Sequence, residues 1–175
     1  MTAPVFVDTN VLVYARDAGE RGKQAAADQW IRQLWLEQRG RTSTQVLSEY
    51  YTTVTRKLKP GLDPDEAWQD VLALLAWEPQ EINREVLVRA REIERRYRLS
   101  WWDSMIVAAA QCQDCPILLS EDLQDRMRFD GTTVVNPFTI SVAEARATYS
   151  TTSSKPISRH RRRGRPARWK SADQA

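Results

Sequence analysis

The chain has 175 residues, 42% of them hydrophobic, which suits one domain with a sizeable core and is too apolar for a wholly disordered protein. No apolar run approaches the ~20 residues that cross a bilayer, and Met1-Thr2-Ala3-Pro4 shows no basic-then-apolar leader, so a cytoplasmic protein is expected. The net charge of +3 is unevenly spread: residues 151–175 carry eight basic side chains and one acid, which leaves the other 150 with 18 basic against 22 acidic, so the basic character belongs to the tail.

Val5-Phe6-Val7 predicts a first strand, apolar on both faces as parallel strands are, and it ends at Asp8. Asn10 to Ala15 predicts a short helix and Arg16 to Lys23 a polar loop. Ala27, Trp30, Ile31, Leu34 and Trp35 recur at helical spacing over about 22–38, with Gly40 as a stop signal. Arg41-Thr42-Ser43 is a short strand candidate. A further helix spans about Thr44 to Leu58, with Val46, Leu47, Tyr50, Val54 and Leu58 as its apolar stripe.

Asp63-Pro64-Asp65-Glu66 reads as a helix start, with an Asp cap and Pro at the first position. Pro79–Ile82 is a candidate strand. Asn83 is placed to cap a helix that keeps Val86, Ala90, Ile93 and Tyr97 in register, and Ser100-Trp101-Trp102-Asp103 opens another. Pro116-Ile117-Leu118-Leu119 and Thr132-Thr133-Val134-Val135 are the last strands, and Val142–Ala147 a short closing helix. Strands alternating with helices predict an α/β fold: a mainly parallel sheet with helices on both faces. The expected organisation is a domain over residues 1–149 and a basic tail, too poor in apolar residues to order itself, over 150–175.

Cys112 and Cys115 are spaced as a redox pair or half a zinc site, but they fall at a helix end, and the single histidine, His160, lies in the tail. The expectation is two ordinary thiols, one in the core.

Four acids remain as candidates for chemistry. Asp8 and Asp122 follow apolar strands and so share one rim of a parallel sheet, where open α/β folds bind ligands. Glu49 falls about 140° from the centre of its helix's apolar stripe, which suits a crevice wall or plain solvent. Asp103 opens its helix. Each has a purely structural alternative: a strand-end turn or a helix cap for Asp8, a solvated charge for Glu49, a capping box with Ser100 for Asp103, and a turn with Asp125 for Asp122.

Together, Val7-Asp8-Thr9-Asn10-Val11-Leu12, Ser48-Glu49, Trp102-Asp103-Ser104, Leu119-Ser120-Glu121-Asp122-Leu123-Gln124 and Val135-Asn136-Pro137-Phe138 occur in an order that resembles the PIN-domain ribonucleases, specifically the VapC-type toxins of toxin–antitoxin pairs, over about residues 4–140. The resemblance implies a PIN-like five-stranded parallel sheet of order 3-2-1-4-5. It also implies a carboxylate cluster holding Mg²⁺ or Mn²⁺, cleavage of RNA, a homodimer, and inhibition by a cognate VapB-type antitoxin.

Elementary electrostatics agrees with a metal: two carboxylates ~4 Å apart repel by roughly 4 kcal/mol at an effective dielectric of 20, and an all-oxygen donor set favours Mg²⁺ or Mn²⁺ over zinc. On this reading Asp8, Asp103 and Asp122 are principal ligands and Glu49 is a ligand or a base acting through water. Thr9, Asn10 and Ser120 are supporting hydrogen-bonding groups, and Asp125 is an outer acid. Arg161, Arg162, Arg163, Arg165 and Trp169 form an electrostatic and stacking arm for RNA; a solvated end without a role is the alternative. Rival readings are a PIN RNA-processing nuclease without antitoxin, a catalytically silent RNA-binding module, and an aspartyl-phosphate enzyme, which needs an Asp where Asn10 stands.

Overall fold

The computed structural model describes residues 3–149. Strand β1 (Val5–Val7) leads into a short helix α1 (Thr9–Tyr14) and a long one, α2 (Arg21–Leu36). Strand β2 (Gly40–Arg41) precedes α3 (Thr44–Arg56), α4 (Pro64–Leu74), α5 (Arg84–Tyr97) and α6 (Trp101–Cys112). Then come β3 (Ile117–Leu119), β4 (Arg128–Phe129), β5 (Thr132–Val135) and α7 (Val142–Tyr149).

The sheet runs β2-β1-β3-β5-β4, parallel except for the β4–β5 pair. β1 is an inner strand between β2 and β3, with Val5 opposite Ile117 and Gly40, and Val7 opposite Leu119. Val5, Phe6 and Val7 are all fully buried, and because alternate side chains of a strand face opposite ways, the sheet is covered on both faces. Each such side chain contributes roughly 1.5–3 kcal/mol on burial.

Two departures from the sequence reading concern the sheet edges. The expected strand at Pro79–Ile82 is reduced to one parallel bridge, Gln80 with Ser43, in which Gln80 N–H donates to Thr42 O (2.9 Å) and Thr44 N–H to Gln80 O (3.0 Å). That bridge occupies the outer place of the expected 3-2-1-4-5 order. At the opposite edge β4 is an added antiparallel strand: Phe129 is fully buried and meets Tyr97 of α5 edge-on at 4.8 Å between ring centroids, so packing holds a segment with no strand signal of its own.

Gly40 is a third correction. The helix before it ends at Leu36, and Gln38, not Gly40, takes the left-handed backbone (φ 54°). Gly40 is instead the first residue of β2, with the Trp77 indole lying against its Cα so closely that a Cβ would overlap the ring.

The helix starts follow their caps. Ser43, Asp63, Asn83 and Ser100 accept hydrogen bonds from the backbone N–H of Val46, Asp65, Val86 and Asp103 respectively. Asp70 on α4 accepts from the Tyr50 hydroxyl of α3 (2.5 Å) and pairs with Arg16 beyond α1, tying together the helices beside the sheet's carboxyl ends. Cys115 is buried, and burial pushes its thiol up to about 12, while Cys112 is half-buried with its thiol also raised; both are free, as ordinary thiols. Among the described residues no helix is long and apolar enough to cross a membrane.

Candidate active site

The carboxyl ends of β1 and β3 open into a cleft of about 840 Å³. Asp8, Glu49, Asp103 and Asp122 all line it, although they come from four separate segments of the chain.

Asp8 continues the ladder beyond β1, its N–H donating to Leu119 O (3.0 Å), and its side chain caps α1 by accepting from Thr9 N–H (2.6 Å). The structural alternative for Asp8 is therefore realised together with its place in the cleft. Its second oxygen accepts from the Ser120 hydroxyl (2.7 Å) and from the Asn10 amide (3.0 Å). Asp8 is only 8% exposed. Burial pushes its carboxyl up to about 6, with Asp122 and Glu49 adding to the rise and the hydrogen bonds from Ser120 and Thr9 opposing it.

Asn10 holds two of the acids in place. Its Nδ2 donates to Asp8 and also to Asp122 (3.1 Å), and lies 3.3 Å from Ser120 Oγ. The amide orientation follows from its other end, where Oδ1 accepts from Glu121 N–H (3.2 Å). The Glu121 carboxylate is in turn paired with Lys23 of α2 (2.6 Å), which also reaches the Tyr14 hydroxyl (3.1 Å) and sits over the Tyr14 ring. The loop bearing Asp122 is thus fastened to α1 and α2.

Glu49 sits on a polar face of α3 formed by Gln45, Ser48, Thr52 and Thr53, which together wall the cleft. Its two oxygens accept from Thr9 Oγ1 (2.8 Å) and Gln45 Nε2 (2.9 Å). Asp103 stands in the first turn of α6, its carboxylate accepting from the Ser100 hydroxyl (2.7 Å) that itself caps the helix. Each acid is held by its own polar neighbours, and among the described residues no three of His, Cys, Asp and Glu are grouped tightly enough to hold a metal ion.

Thr9, Asn10 and Ser120 thus each hydrogen-bond to at least one of the acids. Asp125 does not join them: its carboxylate accepts from Asn136 N–H (2.8 Å) and fastens the end of β5. Arg161, Arg162, Arg163, Arg165 and Trp169 lie outside the described residues. Sequence reasoning missed Asp17, a fifth acid on the cleft, because it lies in a polar loop where its own turn, accepting from Gly19 N–H (2.9 Å), explains it. It also missed the wall residues of α3, although Gln45, Ser48, Glu49, Thr52 and Thr53 recur at helical spacing on one side.

A family model described as the PIN domain matches residues 5–129, a span that includes all four acids. Among solved structures, the chain is similar to a toxin–antitoxin complex from Klebsiella pneumoniae, at 19% identity over 79% of this chain and 99% of that one, with a TM-score of 0.55. It is also similar to the VapC20 toxin of Mycobacterium tuberculosis, described as cleaving the sarcin–ricin loop, at 19% identity over 65% of this chain and 86% of that one, with a TM-score of 0.49. At such identities the likeness is one of fold. No curated protein sequence matches the chain.

Proposed function

The chain belongs to the PIN domain family, and from that premise we propose that it is an Mg²⁺- or Mn²⁺-dependent ribonuclease acting through Asp8, Glu49, Asp103 and Asp122. The observation that carries this reading is the meeting of four acids, 41 to 114 residues from Asp8 for the other three, on one cleft at the sheet's carboxyl edge. Asp8 is the centre of the argument, because its buried carboxyl is disfavoured in the charged form, a cost that a bound cation removes.

The donor chemistry fits a hard divalent ion: the four acids supply only oxygens, and among the described residues neither imidazole nor thiolate lines the cleft. Asp8 and Asp122, both bonded to Asn10, would hold the ion together with Glu49 of α3 and Asp103 of α6. When bound, such an ion activates water and offsets charge on the scissile phosphate. The remaining work belongs to the protein. Ser120 and Thr9 N–H keep Asp8 oriented, Thr9 and Gln45 keep Glu49 at the wall within reach of water, and the Lys23–Glu121 pair steadies the loop of Asp122.

The fold likeness to a toxin–antitoxin complex supports a finer assignment, a toxin whose partner is a VapB-type antitoxin; a homodimer acting in the cytoplasm is proposed with it. Residues 1–149 would form the nuclease and 150–175 a basic arm for RNA. A second reading, a catalytically silent RNA-binding module, is favoured by one observation, the absence of any three acids grouped for an ion among the described residues. Incubation of the purified protein with total RNA, with Mg²⁺, with Mn²⁺ and with chelator, separates the two. Metal-dependent cuts support the nuclease, and intact RNA throughout supports the silent module.

A further inference from the structure

Resting on the nuclease reading, we propose that Trp102 is the platform on which an unpaired base of the RNA stacks beside the scissile phosphate.

Trp102 immediately precedes Asp103 in the first turn of α6 and lines the cleft. It is 61% exposed, whereas its neighbour Trp101 packs against the core. The fold therefore uses one indole of the pair for packing and leaves the other facing the cleft. No ring partner engages Trp102 among the described residues. Its backbone is nonetheless held: Gln45 Nε2 of α3 reaches Trp102 O (3.4 Å), and Ser100 caps the turn through Asp103 N–H (3.1 Å). A large aromatic face is thus presented from a fixed backbone next to a candidate ligand acid. Ile82, itself half exposed, and Ile106, one turn further along α6, are apolar groups that line the cleft with it.

The charge of the cleft gives stacking a role. Among the described residues, Asp8, Asp17, Glu49, Asp103 and Asp122 line it against one cation, Lys57. A phosphate backbone entering it meets net repulsion from these side chains. Uncharged contacts inside the cleft offset that repulsion, and base–aromatic stacking is one that any sequence can make. A paired base cannot offer its face to an indole, which is why the geometry selects an unpaired strand. A protein partner suits another surface better: Trp68 and Leu72 of α4 and Leu75 just beyond it are exposed apolar side chains that do not line the cleft, whereas Trp102 does.

The test uses the full chain as wild type, Trp102→Ala and Trp102→Phe, with thermal melts to establish that all three fold. Binding is read by fluorescence anisotropy of labelled twelve-nucleotide oligo(A), alone and annealed to oligo(U), in Ca²⁺. The wild type is expected to bind the single strand more tightly than the duplex. Trp102→Ala should lose about ten- to hundredfold in single-strand affinity, with the slope of affinity against salt unchanged because no ionic contact is removed. Trp102→Phe should recover most of the loss. In Mg²⁺, Trp102→Ala should raise KM for RNA cleavage more than it lowers kcat. The proposal is overturned if Trp102→Ala binds the strand like the wild type, if the duplex binds as well as the strand, or if the salt slope changes. It is equally overturned if the variant keeps RNA binding and changes only the oligomeric mass, which would place Trp102 in a protein interface. Single-strand binding that depends on Trp102 in a protein that cleaves no RNA would sink the nuclease reading and leave the stacking site standing.

Discussion

Asn10 and Asp122 are 112 residues apart in the chain, yet the Asn10 amide donates to the Asp122 carboxylate at 3.1 Å. The same nitrogen donates to Asp8 at 3.0 Å, so one neutral side chain holds together two acids that would otherwise repel.

Asn10→Ala should therefore leave the core intact, since Asn10 is partly exposed, and loosen the metal site. A loss of about 10–100-fold in activity or metal affinity is expected, the usual range for residues that orient ligands. Measuring the Mg²⁺ concentration for half-maximal RNA cleavage checks this; an unchanged value would remove Asn10 from the site.

Asp8 makes the pH dependence specific. A carboxyl raised in the fold from 3.8 to about 6 contributes stability below the lower value and loses it as pH rises through the upper one. In the presence of chelator, wild type relative to Asp8→Asn should lose stability between pH ~4 and pH ~7, by an amount on the order of 3 kcal/mol. Adding Mg²⁺ should reverse the trend for the wild type alone, because binding requires the charged carboxylate. Urea melts across that window provide the comparison, and parallel curves for the two proteins would contradict it.

Gly40→Ala tests the fold beneath the site. Its new methyl group would overlap the Trp77 indole, and overpacking of this kind costs about 1–3 kcal/mol. A thermal melt of Gly40→Ala should show that loss, and a Trp77→Leu change in the same protein should recover part of it.

The basic tail predicts a change in salt dependence. Removing residues 151–175 deletes eight basic side chains and should weaken RNA binding and flatten its dependence on salt. Equal slopes for full-length and truncated protein would deny the tail a role.

Much of this was legible in the sequence because it rests on local chemistry. The apolar runs at Val5–Val7 and Ile117–Leu119 mark the central strands, and the caps at Asp63, Asn83 and Ser100 mark helix starts within a residue. Glu49 could be set off the apolar stripe of α3 from its angle alone, although the angle did not distinguish cleft from solvent. What sequence did not reveal depends on contacts through space. β4 exists because Phe129 is buried under Tyr97, and Gly40 is required by an indole 37 positions further on. Asp17 carries no signal, since a loop acid in its own turn looks the same wherever the loop lies. The Ser100–Asp103 spacing pointed correctly to a cap, but not to a capped acid that also faces the cleft.

The shared divalent ion proposed for the carboxylates of distant segments can be located by soaking crystals of the wild-type protein in Mn²⁺ and recording its anomalous scattering. A peak is expected within ~2.2 Å of oxygens from both Asp8 and Asp122, absent from Asp8→Asn crystals treated alike. A protein that cleaves RNA in Mn²⁺ but shows no peak there, or shows it elsewhere, would rule out the shared ion.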